Sequence, residues 1–201
     1  MNTLYRKTFY LRRDKILLVA ERLLLENNQE ITLSELATEL NIAKGTIYKH
    51  FESKNHLYLN IIMINEKRIT KIAERHEKDI KQYLTQFMLY HMLNPNRTIL
   101  LHSLEQRITN TDKSLKDLLH KIYKIREERI FWIKDNIRNY LLKIQREMSI
   151  RDFLSYIWTI TYGSCLLLNS TNYQKAIGSR ERLMNLYINQ ALMTSDKVEL
   201  V

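Results

Sequence analysis

Residues 31–58 constrain this chain more than any other stretch, and they read ITLSELATELNIAKGTIYKHFESKNHLY. Thr32 and Glu35 have the T-x-x-E spacing of a capping box, in which the hydroxyl and the carboxylate each accept a hydrogen bond from a free backbone N–H. The apolar residues that follow have helical spacing and give a short helix one apolar face: Leu33, Leu36, Ala37 and Leu40. The pattern therefore predicts where this helix begins and which face it buries.

A second short helix is predicted directly after the first. Asn41 tolerates a left-handed backbone, so it predicts the end of the first helix. Ile42 is expected to be buried, and the second helix to span about residues 44–50 with Ile47 and Phe51 facing inward. Its outer face carries Lys44, Thr46, Lys49 and His50, with Tyr48 beside them. This arrangement is typical of a helix-turn-helix that enters the DNA major groove, although an ordinary helical hairpin would give a similar pattern.

Residues 43–54, AKGTIYKHFESK, are much more specific than the hairpin itself. They resemble the recognition segment of the tetracycline-repressor (TetR) family of bacterial transcriptional regulators, and the resemblance extends over about residues 9–69. Farther along, it rests only on length and helix pattern. The resemblance implies an all-α fold of about nine helices. It places a three-helix DNA-binding domain at residues 9–69, with the helix-turn-helix at 32–51, and a helical effector-binding and dimerisation domain at 70–195.

The composition also favours long helices, since the 201 residues include only 3 Gly and 1 Pro. The single cysteine, Cys165, permits no internal disulfide and suits a reducing cytoplasm. No apolar run reaches the roughly 18 residues of a spanning helix, and the first fifteen residues lack a signal-peptide core. We therefore expect a bacterial cytoplasmic protein, located on the nucleoid when DNA-bound, with no metal and no cofactor.

The net charge of +10 favours a polyanionic partner, but it does not locate the binding surface. Residues 1–60 carry 9 Lys and Arg against 7 Asp and Glu, so most of the excess lies in the other 141 residues. Residues 6–15 are strongly basic. They are interpreted either as an arm for a neighbouring minor groove or as a frayed terminus, ahead of a helix at about residues 14–25.

Side-chain chemistry suggests how the second helix would contact DNA. Gly45 lets the backbone approach closely, and Lys44 can reach a guanine edge or a phosphate. Tyr48, His50 and Lys54 carry donors suited to phosphate oxygens, and in the proteins that this segment resembles the matching Tyr, His and Lys make such contacts. The predicted DNA-contacting residues are Thr32, Ser34, Lys44, Gly45, Thr46, Tyr48, Lys49, His50 and Lys54.

Two positions depart from the family pattern. Relatives generally carry Gly where this chain has Asn41, and often Ser or Thr where it has Ala43. The second helix is therefore expected to lack a side-chain cap, which costs about 1 kcal/mol. We hypothesise that this helix is frayed in the free protein and becomes ordered on DNA.

Residues 75–195 are predicted to be helical, with a long helix at about 113–145 and a second capping box at Ser149 and Asp152. The resemblance implies that the last two helices pair with their symmetry mates in a homodimer. Such a dimer reads a near-palindromic operator with half-sites about 34–36 Å apart, or a multiple of this distance. The predicted interface residues are Phe153, Ile157, Gly163, Leu167, Leu183, Leu186, Tyr187 and Ala191.

The resemblance also implies a pocket for an unidentified small-molecule effector, apolar or anionic. The candidates, which are equally good core residues, are Phe87, Tyr90, Leu104, Tyr123, Arg126, Tyr156 and Trp158. Arg126 interrupts an apolar stripe between Ile122 and Ile130. It could meet an anionic effector, pair with an acid such as Glu105, or extend its charged group to water.

The simplest functional interpretation is a repressor that a ligand releases from double-stranded DNA. One alternative is a DNA-bound nucleoid or division-control factor that recruits another protein. Another is a basic helical protein that binds an anionic membrane surface, although no membrane partner is expected. Enzyme motifs such as G-x-S-x-G, H-E-x-x-H, a Walker loop or a dinucleotide fingerprint do not occur, so no enzymatic activity is expected.

Overall fold

The helical patterns in the sequence correspond to helices along the whole described part of the chain. The computed structural model describes residues 3–192, apart from the side chains of residues 3–5, 174 and 177. Within that range there are ten α-helices, one 3₁₀ helix and no β-strand, which confirms the predicted all-α fold. The α-helices are α1 (Thr3–Asn27), α2 (Leu33–Leu40), α3 (Lys44–Tyr48), α4 (Lys54–Arg75), α5 (Ile80–Met92), α6 (Pro95–Thr111), α7 (Lys116–Lys143), α8 (Ile150–Asn169), α9 (Thr171–Ile177) and α10 (Arg180–Ala191). None of the helices in residues 3–192 combines the length and apolarity that crossing a membrane requires.

Helix α1 begins at Thr3 and not near residue 14, so the basic stretch at residues 6–15 is neither an arm nor a frayed terminus. Phe9 and Arg13 lie one turn apart on this helix, and both contact the segment that follows α3. An isolated helix end frays because it has few partners, whereas tertiary contacts stabilise it. These contacts explain why the helix extends so far towards the amino terminus.

Contacts divide the chain into two units. The first comprises residues up to 65 together with 100–122, and the second comprises 66–99 and the residues from 123 onward. The first unit surrounds a core whose fully buried members include Ile16, Leu24, Leu36, Ile47, Phe51 and Tyr58. The predicted boundary at residues 69 and 70 cuts the chain only once and does not anticipate that residues 100–122 join the first unit. A linear pattern cannot indicate such a return of the chain.

The second unit has a separate core made by α5, α7, α8 and α10. Ser149 caps α8 as predicted, since its hydroxyl accepts a hydrogen bond from the N–H of Asp152 at 3.0 Å. The long helix predicted at 113–145 is instead a 3₁₀ helix, Lys113–Leu115, followed by α7. Pro95 begins α6, where its missing N–H needs no partner.

Half of the predicted dimer-interface residues are buried in the core of the second unit, so their assignment was wrong. Phe153, Ile157, Leu183 and Ala191 are buried by their own chain and form part of its core. Of the other four, Leu186 is exposed, and Gly163, Leu167 and Tyr187 are half-buried. The last residues of the predicted domain, 193–195, lie outside the described residues.

Candidate nucleic-acid interface

Helix α2 begins with the predicted capping box. The N–H of Glu35 donates to Thr32 Oγ1 at 3.1 Å, and the N–H of Thr32 donates to Glu35 Oε2 at 2.6 Å. The hydrogen bond from the Thr32 backbone lowers the pKa of Glu35, because it stabilises the carboxylate. Asn41 ends the helix in the left-handed region, at φ 52° and ψ 50°. Both ends of α2 are thus determined by residues that are local in sequence.

Helix α3 is short, and one residue anchors it. Ile47 is fully buried in the core of the first unit. Ala43 occupies the N-cap position without a side-chain hydrogen bond, as predicted. The helix ends at Tyr48, two residues before the predicted end.

The outer residues of α3 and Lys49, which directly follows it, form what we call the α3 surface: Lys44, Gly45, Thr46, Tyr48 and Lys49. Thr46 is half-buried and the other four are exposed, with Tyr48 at 49%. Apart from its chain neighbours and its own helix backbone, a Cβ built on Gly45 would meet no atom of the described residues within 4 Å. The packing of the chain therefore leaves open space beside Gly45, and a partner can approach the backbone there.

His50 contradicts the prediction that it points outward to a phosphate, because it is only 7% exposed. Its ring centroid lies 4.1 Å from that of Phe9. Arg13 donates one hydrogen bond to the backbone carbonyl of His50 and another to Asn60 Oδ1, each at 2.6 Å. Burial, and then the charges of Arg13 and Arg12, lower the pKa of His50 and favour its neutral form. His50 therefore packs α1 against the end of the helix-turn-helix.

The part of α1 before residue 14 was missed in the sequence, although a signal for it exists. Phe9 and Arg13 are four residues apart, which places them on the same face of a helix. If the helix had been predicted to start before residue 9, this pair would have indicated a helix face that packs against another part of the chain. The guanidinium carbon of Arg13 also lies 4.4 Å from the centre of the Phe51 ring.

Lys54 begins α4 in an ion pair that the sequence did not indicate. Its Nζ lies 2.8 Å from Glu30 Oε2, while Arg107 Nε lies 3.0 Å from Glu30 Oε1. One carboxylate is thus shared by two cations. Ser53 caps the helix, since its Oγ accepts a hydrogen bond from the N–H of His56 at 3.0 Å. No motif links Glu30 with Lys54, so only the fold brings them together.

Tyr58 attaches the segment before α2 to α4. Its hydroxyl accepts a hydrogen bond from the N–H of Ile31 at 3.0 Å and donates one to the carbonyl of Ile31 at 3.2 Å. Tyr58 is fully buried, and burial raises the pKa of its hydroxyl. The start of the helix-turn-helix is therefore held by a hydrogen-bonded residue in the core.

The predicted effector-pocket residues do not form one group. Leu104 is buried in the core of the first unit, and Tyr123 is exposed. The remaining aromatic candidates lie in the second unit, where Tyr156 packs partly against the core. The other three surround His91, with ring-centroid distances of 4.8 Å for Phe87, 5.3 Å for Trp158 and 5.4 Å for Tyr90. We call these four residues the His91 cluster.

Arg126 has an acidic partner, which was one of the possibilities that the sequence left open. Glu66, only 5% exposed, accepts hydrogen bonds from Arg126 at 2.8 Å and from Arg129 at 2.9 Å. Burial alone would raise the pKa of Glu66, but the charges and hydrogen bonds of both arginines outweigh it, and the pKa is lowered. Arg126 therefore belongs to an ion pair between α4 and α7. Because its guanidinium already pairs with Glu66, its position in the apolar stripe does not indicate an effector ligand.

Comparison with known proteins relates the N-terminal part of the chain to bacterial regulators. The family model "Bacterial regulatory proteins, tetR family" matches residues 16–61, which include α2 and α3. The chain is 31% identical over 83 residues to the HTH-type transcriptional regulator QacR of Staphylococcus aureus (strain Mu50). That match covers 41% of this chain and 44% of the relative, so the chain matches less than half the length of this curated protein.

Solved structures share the fold over most of the chain. The TetR family transcriptional regulator PfmR from Thermus thermophilus has a TM-score of 0.61 at 16% identity, covering 90% of this chain and 99% of its own. A putative TetR-family transcriptional regulator from Mesorhizobium loti has a TM-score of 0.56 at 15% identity, covering 91% and 94%. At these identities the similarity establishes the fold. The family match over residues 16–61 and the shared fold relate the chain to the TetR family of bacterial regulatory proteins.

Proposed function

We propose that this protein is a DNA-binding transcriptional regulator that inserts α3 into the major groove. The observation that carries the proposal is the α3 surface, since Lys44, Tyr48 and Lys49 are exposed on a helix whose opposite side is anchored by Ile47. Exposed cations and an aromatic hydroxyl beside an open glycine suit a groove lined by phosphates.

In this proposal the contacts divide into base reading and phosphate positioning. Lys44, at the start of α3, reaches a guanine edge or a phosphate. Thr46, Tyr48 and Lys49 bind phosphates, and Thr32 and Ser34 contact the sugar-phosphate backbone of the DNA from the start of α2. Lys54 binds a phosphate at the start of α4, where the helix dipole also attracts an anion. His50 has no contact with DNA in this scheme.

We propose that the regulator acts as a homodimer on a near-palindromic operator. One side of α8 carries Ser155, Thr159, Gly163 and Leu166 at spacings of four, four and three, and all are exposed or half-buried. Outside its own helix backbone and chain neighbours, a Cβ on Gly163 would meet no atom of residues 3–192 within 4 Å, so packing within that part of a single chain does not need the glycine there. Small residues on one side allow two helices to approach closely, and Leu186 and Tyr187 of α10 add apolar surface.

Release by a small-molecule effector is part of the same proposal, with the His91 cluster as its site. Thr98 Oγ1 lies 3.0 Å from His91 Nδ1, whereas the buried Nε2 has no hydrogen-bond partner among the residues that the structure describes. A mostly apolar ligand with one polar group could pair with that nitrogen. Repression is relieved if the ligand binds the DNA-incompetent state more tightly, with a coupling of about 1–3 kcal/mol.

Selection of bound DNA from a random library tests the central proposal. We expect a near-palindrome to be recovered and to occur upstream of the gene for this protein. In binding assays on that sequence, the double variant Lys44→Ala/Lys49→Ala should lose at least tenfold in affinity. Its salt slope should decrease by about two if both lysines contact phosphates.

The matched control is Lys78→Ala/Lys81→Ala, which removes the same charge from exposed positions of the second unit. The control should bind within about twofold of the parent. Equal losses in both variants would show that only net charge matters, and the α3 surface would then not be the interface. Failure to enrich any sequence would contradict the proposal as a whole.

A further inference from the structure

A groove between α4 and α5 lies on the surface of the second unit and shares one lining residue, Tyr90, with the His91 cluster. Its volume is about 430 Å³. The α4 residues that line it are Arg68, Lys71, Ile72 and Arg75. Phe87, His91 and Trp158 do not line it, because they occupy another face of α5 and α8.

The polar side of the groove is positively charged. Arg68, Lys71 and Arg75 are three and four residues apart, so they share one face of α4, and none of the described residues that line the groove is acidic. Lys71 and Arg75 make no ion pair with any acid in residues 3–192. Like charges at this spacing repel one another, and an anion placed between them would relieve the repulsion.

The other side of the groove is apolar and partly unfilled. Leu93 is 58% exposed, and Ile72 and Leu89 are half-buried. The core-facing positions of the same two helices are already occupied, since Ile69, Ala73, Met88 and Met92 are buried. Ile72 and Leu89 pack partly against that core, and their remaining surface lines the groove together with Leu93, where a ligand could shield it from water.

We propose that this groove binds an amphipathic anion. Its apolar body would lie along Ile72, Leu89 and Leu93, and its carboxylate or equivalent anionic group would meet Lys71 and Arg75. At roughly 30 Å³ for each water-sized group, a volume of about 430 Å³ holds about 14 heavy atoms. Dodecanoate has that size, so it serves as the probe. The proposal concerns ligand binding alone and does not depend on DNA binding.

The experiment titrates the full chain with dodecanoate, below the concentration at which it forms micelles, and measures heat. We expect saturable binding of one molecule per chain. Dodecyltrimethylammonium carries an alkyl chain of the same length with a cationic group, and it should show no saturable binding. Equal binding of both molecules would overturn the proposal, because apolar contact alone would explain it, and so would the absence of saturable dodecanoate binding.

Two pairs of variants locate the site. Lys71→Ala/Arg75→Ala should weaken dodecanoate binding at least tenfold, whereas Lys67→Ala/Lys81→Ala, exposed lysines outside the groove, should change it by less than twofold. Leu93→Ser should weaken binding severalfold, whereas Leu142→Ser, an exposed leucine on α7, should not. All substituted side chains are exposed, so folding is expected to survive, and circular dichroism would verify it. Equal weakening within each pair would place binding elsewhere.

Discussion

At the scale of single residues, the support of the α3 surface depends on contacts behind it. Ile47 anchors α3 in the core, and His50 packs under Phe9 just beyond the end of the helix. Lys54 is held by Glu30. Exposed side chains of the helix-turn-helix can therefore contact DNA only from positions that these buried or paired residues determine.

Replacing Glu30 with Gln should strengthen DNA binding, because Glu30 competes with phosphate for Lys54. The Lys54 side chain is about one-third exposed, and such ion pairs typically contribute about 0.2–1 kcal/mol. We therefore expect the affinity for the selected DNA to increase by roughly 1.5- to 5-fold. Fluorescence anisotropy at several salt concentrations would measure the change and the salt slope.

Glu26→Gln is the matched control for this prediction. Glu26 pairs with Arg22 on α1 and undergoes the same change of charge away from Lys54. If both variants bind DNA more tightly by the same factor, general electrostatics explains the gain and the competition at Lys54 is refuted.

The stability of the protein should decrease at acidic pH because of His91. Burial lowers the pKa of His91 to about 3, whereas in the unfolded chain it is about 6.5. Between those values the unfolded state binds a proton that the folded state does not, so the free energy of unfolding falls as the pH falls from 6.5 towards 3. The full contribution is present above pH 6.5.

Urea unfolding at pH 7.5 and pH 5.0 would measure this effect. His91 should account for about 2 kcal/mol of the difference between the two pH values, and His91→Gln should remove that part. His120→Gln changes an exposed histidine of α7 and should leave the difference unchanged. A His91→Gln variant with the same pH dependence as the parent would contradict the assignment.

At the scale of helices, α3 has little local support. It spans only Lys44–Tyr48, and Ala43 provides no side-chain cap. Its neighbour α2 is also short but has a complete capping box and an asparagine at its end. The two helices of the motif therefore differ in how much of their stability is local.

Ala43→Ser should stabilise the free protein by about 1 kcal/mol, since serine can accept a hydrogen bond from a free N–H of α3. Thermal or urea unfolding without DNA would measure the gain. The control is Ser34→Ala, which removes a hydroxyl inside α2. It should not change the free energy of unfolding by a comparable amount. An Ala43→Ser variant no more stable than the parent would refute the idea that a missing cap weakens α3.

At the scale of the whole molecule, the proposed dimer uses the outer side of α8. Leu166 is 49% exposed on that side, close to Gly163. Leu166→Glu would place a charge in an apolar contact, and we expect it to weaken self-association at least tenfold. Sedimentation velocity over a range of concentrations would show a shift from dimer to monomer.

Leu142→Glu makes the same change at an exposed position of α7 and should remain dimeric. If Leu166→Glu is as dimeric as this control, the outer side of α8 is not the interface. A parent protein that is monomeric at every concentration would contradict the proposed dimer altogether.

The sequence by itself determined the local structure of the helix-turn-helix. Thr32, Glu35 and Asn41 predicted both ends of α2, and Ala43 and Ile47 predicted the missing cap and the buried face of α3. These features depend on residues within a few positions of one another, so a short window contains all the information. The same reasoning predicted the cap at Ser149.

The tertiary structure decided which partners distant residues meet. It buried His50 under Phe9, paired Lys54 with Glu30 and Arg126 with Glu66, and enclosed Phe153 in the core rather than leaving it at a surface. In each pair the partners are far apart in the sequence. Helical periodicity relates only residues a few positions apart, so it cannot predict these pairs. An apolar or charged residue at helical spacing indicates only that a face meets something, and the packed fold decides what it meets.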